Sequence, residues 1–239
     1  MANTLFASEF KTSPWWWEAA EPPERNTPLP DHTPVAVIGG GYAGLSAALS
    51  LARLGHKVTV LDAERIGWGA SSRNGGMVSG GLKVARTALA EKLGAEQARN
   101  IAMAAAASFP FIEETIAREG IECDYTRCGR FVAAWTPKHY DALARQSDYI
   151  AEITGLPTEM LPPSRQHEAL GSSHYHGGMK AAATGSIHPG KYARGLAAAA
   201  ERAGASLVDY TRVAGIRADG SGFRIATNRG ELRADAVLV

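Results

Sequence analysis

The sequence predicts an α/β fold that opens on a Rossmann-like βαβ unit, and three observations carry that expectation. A short apolar strand through VAVIG from Val35, a glycine turn, and an amphipathic helix from about Tyr42 to Leu54 lead into a second strand, KVTVL. Gly39, Gly41 and Gly44 space the turn as G-x-G-x-x-G between strand and helix, and Asp62 closes the second strand. In that position the glycines permit a tight turn, close backbone approach to a pyrophosphate and close packing of the helix. The helix N-terminus adds unpaired N–H groups and a positive dipole end, both of which stabilise a phosphate. Ala48 is small where the helix must lie on the sheet, and Gly55 ends the helix. Asp62 stands about where an acid accepts hydrogen bonds from ribose hydroxyls. A glycine pattern alone is weak evidence in a chain with 26 glycines. Strand, helix, second strand and acid in register favour a dinucleotide site over a turn of purely structural use.

With 239 residues and 45% hydrophobic content, the chain can bury a core in one large domain or two small ones. Lys+Arg 25 against Asp+Glu 24 leaves a formal charge of +1, which excludes the electrostatic footprint of a nucleic-acid or anionic-membrane binder. No run is apolar enough to span a membrane, and the N-terminal stretch lacks a basic region followed by an apolar one, so the cytoplasm is the expected location. Cys123 and Cys128 have the spacing of neither a zinc pair nor a redox dithiol and read as plain thiols.

Residues 1–33, rich in Pro and polar side chains, read as an extended N-terminal arm anchored by Trp15, Trp16 and Trp17. Residues 34–83 and 184–239 read as the discontinuous nucleotide-binding domain, and residues 84–183 as an inserted, mostly helical cap on the substrate side. Within the cap, an Ala-rich helix is expected from about Ala95 to Glu119, strand-like segments near 123–135, and a helix from about Pro137 to Ile153. Beyond Met179 the α/β pattern returns. His188 precedes Pro189 at a first helical position, the helix runs to about Ala203, and Gly204 stops it. Short strands follow at 206–209, 212–217, 222–227 and 231–239. The last residues, ADAVLV, form an apolar strand with no turn, cap or tail. That ending predicts a chain truncated at its C-terminus, with partner strands and active-site walls encoded downstream. No internal repeat is visible.

The segment after Asp62 decides which dinucleotide. AERIGWGASSRNGG would be an odd start for the next unit of a nicotinamide-binding sheet, and it suits a loop returning over a longer cofactor, FAD. Ser71 and Ser72 are placed to donate to phosphates, Arg65 to approach the adenosine side, and the backbone from Arg73 to Gly76 to come close to a flavin ring. A surface loop rich in turn residues is the alternative.

At these residues the chain resembles the D-amino-acid oxidase superfamily of FAD enzymes, and most closely the branch containing gamma-glutamylputrescine oxidoreductase. The matching features are VIGGGYAGLSAALSLARLGHKVTVLDAERIGWGASSRNGG at 37–76, the SPWW arm before it and GSIHPGKYARGLA at 185–197. The resemblance spans nearly the whole chain but is loose between about 85 and 180. It implies oxidation of the C–N bond of a small amine or amino acid, with oxygen or another acceptor reoxidising a flavin. It also implies that Gly39, Gly41 and Gly44 contact the FAD pyrophosphate, Asp62 the ribose, and Ser71, Ser72, Arg73, Asn74, Gly75 and Gly76 the flavin side, with Val213 holding the adenine through its backbone; Tyr42, Ala43, Ala63, Arg65, Gly69 and Ala70 complete the expected cofactor-binding set. Ser72 stands where the family pattern G-A-S-G-R-N-G-G has glycine, so the local backbone is expected to differ. Neither His nor Cys lies in the 65–76 loop, so the FAD is expected to be non-covalent.

No catalytic acid or base can be named from the sequence; Arg73 and Asn74 are the best polar candidates beside the flavin. His167, His174 and His176 lack a third ligand at metal-site spacing and read as ordinary histidines, and His188 reads as a helix cap. Two other functions stand beside the flavin enzyme: an NAD-dependent dehydrogenase, which the GASSRNGG loop disfavours, and a non-catalytic nucleotide-binding fragment.

Overall fold

A computed structural model describes Ala7, residues 9–82 and residues 86–239. The helices are α1 (Trp17–Ala20), α2 (Tyr42–Arg53), α3 (Arg86–Leu93), α4 (Ala95–Glu119), α5 (Pro137–Thr154) and α6 (Pro189–Arg202). The strands are β1 (His32–Ile38), β2 (Val58–Leu61), β3 (Met77–Ser79), β4 (Arg130–Ala133), β5 (Thr158–Leu161), β6 (Gly178–Ala181), β7 (Thr184–Ser186), β8 (Ser206–Val208), β9 (Val213–Asp219), β10 (Gly222–Thr227) and β11 (Gly230–Leu238). The chain divides into two compact units. One holds the residues up to Gly75, Ile121–Cys123 and His188–Val239; the other holds Gly76–Gly120 and Asp124–Ile187.

These boundaries fall earlier on the way out, and later on the way back, than the sequence suggests. The reason is a strand pair: β3 runs antiparallel to β7, with Met77 opposite Ser186, which keeps both segments in the second unit. Residues 121–123 belong to the first unit because the His188 N–H donates to the Cys123 carbonyl at 2.8 Å. Ile121 also lies where a side chain on Gly195 would stand, its Cγ2 2.4 Å from that Cβ position.

The first unit is built on a six-stranded sheet in the order β8-β2-β1-β11-β10-β9. The first four strands are mutually parallel, and β10 and β9 add antiparallel. Parallel neighbours require a crossover, and α2 supplies the one between β1 and β2. Strand β2, VTVL, is buried throughout, as apolar strands covered on both faces are. Helix α2 buries Leu45, Ala48, Leu49 and Ala52, the spacing of one helical stripe. Helix α6 starts with Pro189 in its first turn and with the His188 side chain accepting from the Lys191 N–H at 3.2 Å. It stops before Gly204, whose φ of +103° suits glycine. Ala36, Leu61, Val208, Ile225, Leu232 and Ala234 form a core cluster along the sheet.

The arm is tied down and carries the short helix α1. Pro14 and Ala20 are buried, and Trp16 and Trp17 are half-buried. Trp15 departs from the anchoring expected of it, since it is 72% exposed.

In the second unit, α5 covers the antiparallel sheet β4-β6-β5 through a cluster of Ala134, Leu143 and Met179. Helix α4 runs for 25 residues and packs tightly enough on Gly80 that a Cβ there would meet Ala106 Cα at 2.7 Å. Glu113 of α4 holds both the Arg127 guanidinium and the Tyr125 hydroxyl. The arginine keeps that carboxyl below the ordinary glutamate range, while burial and the glutamate push the Tyr125 phenol up to about 12. Two small sheets therefore accompany the helices of this insert. Among the described residues, no helix is long and apolar enough to cross a membrane.

Leu196 of α6 is wholly buried in the first unit. Leu196→Ala is expected to cost about 2–5 kcal/mol, lost transfer energy plus a cavity. Thermal unfolding followed by circular dichroism checks this, and an unchanged midpoint would contradict the packing described.

Candidate dinucleotide site

Strand β1 gives way to the glycine turn at Gly39, whose N–H donates to the Leu61 carbonyl at 2.8 Å and whose φ is +101°. Only glycine adopts that backbone without strain. Gly44, in the first turn of α2, lies so close to the strand end that a Cβ would stand 1.9 Å from the Gly39 carbonyl oxygen. Gly40, which the sequence pattern leaves as a variable position, is also crowded, though by a movable side-chain end: a Cβ would stand 2.3 Å from Ile66 Cδ1. Gly41 precedes α2 and offers no side-chain cap, which leaves the first turn's donors to other partners.

One such partner comes from the loop after β2. The Tyr42 N–H donates to Ser71 Oγ at 2.9 Å, so GASSRN folds back over the helix N-terminus. A Cβ on Gly41 would meet the same oxygen at 3.0 Å. Ser71 is buried, and Ser72, which replaces the family's glycine, is 0% exposed with its hydroxyl unpartnered. Asn74 braces the loop by donating from Nδ2 to the Ala70 and Ser71 carbonyls at 3.0 and 3.1 Å. Arg73 is exposed; its guanidinium lies 4.1 Å from the Trp68 ring centre and donates to the Trp68 carbonyl. Gly69, Ala70 and Gly75 are exposed stretches of the same loop, and Ala43 is exposed in the first turn of α2. Gly76 begins the second unit; its φ is +72°, and its carbonyl accepts from the Ile187 N–H at 2.9 Å.

Asp62 is half-buried at the end of β2. Its carboxylate accepts from the Gly40 N–H at 2.7 Å and the Glu64 N–H at 2.9 Å. Burial outweighs those two hydrogen bonds and holds its pKa above the ordinary aspartate value. Ala63 follows it, half-buried. Val213, half-buried, pairs with Thr227 at an irregularity in the register of the edge strand β9. Arg65 is placed differently from the sequence reading. It binds the arm, donating to Glu21 Oε1 at 3.0 Å and to the Pro22 carbonyl, and it lies over the Trp17 ring. The Tyr42 hydroxyl donates to the Pro189 carbonyl at 3.2 Å, and its ring meets Tyr192 edge-on at 5.1 Å.

Sequence reasoning missed Asp209. It follows β8 as Asp62 follows β2, and the two strand ends are aligned, Leu61 opposite Val208. Asp209 is 1% exposed, accepts from the Ile66 N–H at 2.8 Å, and is likewise raised by burial. The signal was present in SLVD, an acid closing an apolar strand. Carboxyl ends of parallel strands are where α/β sheets bind ligands. His174 rests edge-on against Trp135 and Tyr175, and among the described residues no group of His, Cys, Asp and Glu gathers to hold a metal.

The family model for FAD-dependent oxidoreductases, DAO, matches residues 34–239. The chain belongs to this family. It is 34% identical over 232 residues to the probable oxidoreductase OrdL of Rhizobium meliloti (strain 1021), covering 94% of this chain and 53% of the relative. It is 33% identical over 205 residues to gamma-glutamylputrescine oxidoreductase of Escherichia coli (strain K12), covering 86% and 48%. Among solved structures, glycine oxidase from Geobacillus kaustophilus superposes with a TM-score of 0.70 at 30% identity, covering 87% of this chain and 55% of that one. The chain thus spans about half the length of these relatives. FAD is the family's cofactor, and the match sets aside the nicotinamide reading. The residues present fit it: a side-chain-free turn, a helix N-terminus preceded by Gly41, which carries no capping side chain, and an unpartnered buried hydroxyl at Ser72.

Two outcomes follow. Gly44→Ala is expected to destabilise the chain by about 1–3 kcal/mol through overpacking and to weaken FAD binding at least about tenfold. Thermal melts and a fluorescence titration with FAD measure the two effects. Asp62 has a raised folded pKa, so its contribution to stability is fully present below the ordinary value of 3.8 and is lost as pH rises through the folded value. With Asp62 assigned to the ribose, as the sequence reading expects, FAD affinity should fall on acidification, beginning above pH 3.8. Asp62→Asn should flatten that limb in a titration repeated across pH.

Proposed function

We propose that this chain forms the cofactor-holding part of an enzyme that oxidises the C–N bond of a small amine or amino acid with FAD. The observation that carries this reading is the fold-back of the 65–75 loop onto the N-terminus of α2, sealed by Ser71 Oγ on the Tyr42 N–H. Gamma-glutamylputrescine oxidoreductase and glycine oxidase, by their names enzymes of an amine and an amino acid, support the substrate class.

In this reading the glycine turn and the α2 N-terminus hold the pyrophosphate, and Gly39, Gly41 and Gly44 let the backbone approach it. Tyr42 and Ala43 lie in that first turn. Asp62 and Ala63 face the ribose, and the Val213 backbone holds the adenine. Gly69, Ala70, Ser71, Ser72, Arg73, Asn74 and Gly75 order the flavin side, with Asn74 kept in place by its two backbone contacts. Arg65 serves the site by fixing the arm. The second unit takes the role of substrate-side cap.

FAD held by the glycine turn, the α2 N-terminus and the 69–75 loop would supply the acceptor for a hydride from the α-carbon of a neutral amine. The imine so released hydrolyses to an aldehyde or keto acid plus amine or ammonia, and oxygen or another acceptor collects the electrons. The chain's own part is positional and electrostatic, and no acid or base is assigned. The absence of His and Cys from the 65–76 loop favours non-covalent attachment.

Anaerobic addition of candidate amines and amino acids to the full-length FAD-loaded protein tests the reaction class. Bleaching of the flavin band by one such compound is the expected result. Bleaching by a nicotinamide or a hydroxy acid, with amines inert, would overturn it.

A further inference from the structure

The N-terminal arm meets the 65–75 loop at Arg65, Arg73 and Asn74. Trp16 Nε1–H donates to the Asn74 carbonyl at 2.8 Å across 58 residues of sequence. Arg73 Nη2 donates to the Thr12 carbonyl at 2.7 Å, while its Nε holds the Trp68 carbonyl. Arg65 takes Glu21, the Pro22 carbonyl and the face of Trp17. Both cations of the loop are thus spent on the arm or on the loop itself.

Trp16 is in turn seated on rigid structure. Its ring meets His188, the cap of α6, edge-on at 4.8 Å, and its backbone lies against Gly190, where a Cβ would come within 3.0 Å of the Trp16 carbonyl oxygen. Further along the arm, Arg25 pairs with Glu201 of α6 at 2.7 Å with its own side chain only 6% exposed. Arg229 Nη2 donates to the Thr27 carbonyl at 3.1 Å. A chain pinned to α6 at both ends of α1 therefore reaches over and grips the loop between.

We propose that the arm is a clamp that orders the 65–75 loop before the cofactor arrives, with Trp16 as its positioning residue through the hydrogen bond to the Asn74 carbonyl. The inference rests on the reading of that loop as the flavin-side wall. A segment as rich in Gly and Ser as GWGASSRNGG loses much conformational freedom when fixed. Ordering it in advance removes that cost from binding, which raises affinity without a contact to the ligand. Tryptophan suits the task because it pairs an apolar body, seated on His188, with one N–H donor at its edge.

The test compares the full-length protein with Trp16→Phe, which keeps a ring on His188 and removes the donor, and with Trp16→His, which keeps an N–H at the equivalent position of a five-membered ring. In Trp16→Phe, amide hydrogen exchange across residues 68–75 of the cofactor-free protein should quicken, and the FAD dissociation constant should rise, each roughly three- to tenfold. Trp16→His should recover part of both. Exchange and affinity unchanged in Trp16→Phe would overturn the clamp, and equal losses in Phe and His would assign the effect to packing instead of the donor. A wild-type protein that exchanges slowly in this loop yet binds no FAD would sink the flavin reading while the exchange comparison still decides the clamp.

Discussion

Among the glycines of the described residues, the tightest contact is that between the end of β1 and the first turn of α2. With 1.9 Å from a Gly44 Cβ position to the Gly39 carbonyl oxygen, a side chain on Gly44 would force the helix off the strand. The same closeness brings the helix N-terminus to the carboxyl end of the parallel sheet, where the dipole of the helix acts on whatever lies above. Gly40 extends the constraint outward, because Ile66 fills the space its side chain would need. The loop carrying Ile66 is therefore registered on the turn, and the buried serines that follow it are registered with it.

Electrostatics of the unit follow from that arrangement. Asp62 and Asp209 end neighbouring parallel strands, both are raised by burial, the charge of Asp62 adds to the rise at Asp209, and both accept from backbone N–H groups of the loop and turn. Arg25 and Arg65 counter Asp209; Arg65 ties the loop to the arm, and Arg25 ties the arm to Glu201 of α6. Charge that would be costly beneath a loop is thus balanced by the residues that hold the arm in place.

What could be read from the sequence was what local periodicity and punctuation encode. Helix α2 with its glycines, α4 from Ala95, and α6 between His188 and Gly204 were legible because each carries a stripe of one period and a cap or a stop. The short strands β3, β5, β6 and β7 were not, since three or four residues hold too little alternation to distinguish from loop. The glycine turn and Asp62 were legible as a candidate site. Asp209 carried the local signal of an acid closing an apolar strand, but its place beside Asp62 comes from strand pairing and was not legible, and neither was the bond from Trp16 to Asn74, which joins residues far apart in the chain. Arg65 was read toward a ligand because an arginine in a phosphate-binding loop suggests one; the arm, whose path no local pattern encodes, takes it instead.

The most direct test of the account is the visible absorption spectrum of the purified protein, taken before and after acid precipitation and again after incubation with excess FAD. A flavin spectrum on the protein, with free FAD released into the acid supernatant, is the predicted result. It would place a non-covalent dinucleotide on the chain that carries the glycine turn. A colourless protein that acquires no flavin band from excess FAD would contradict the account at its centre.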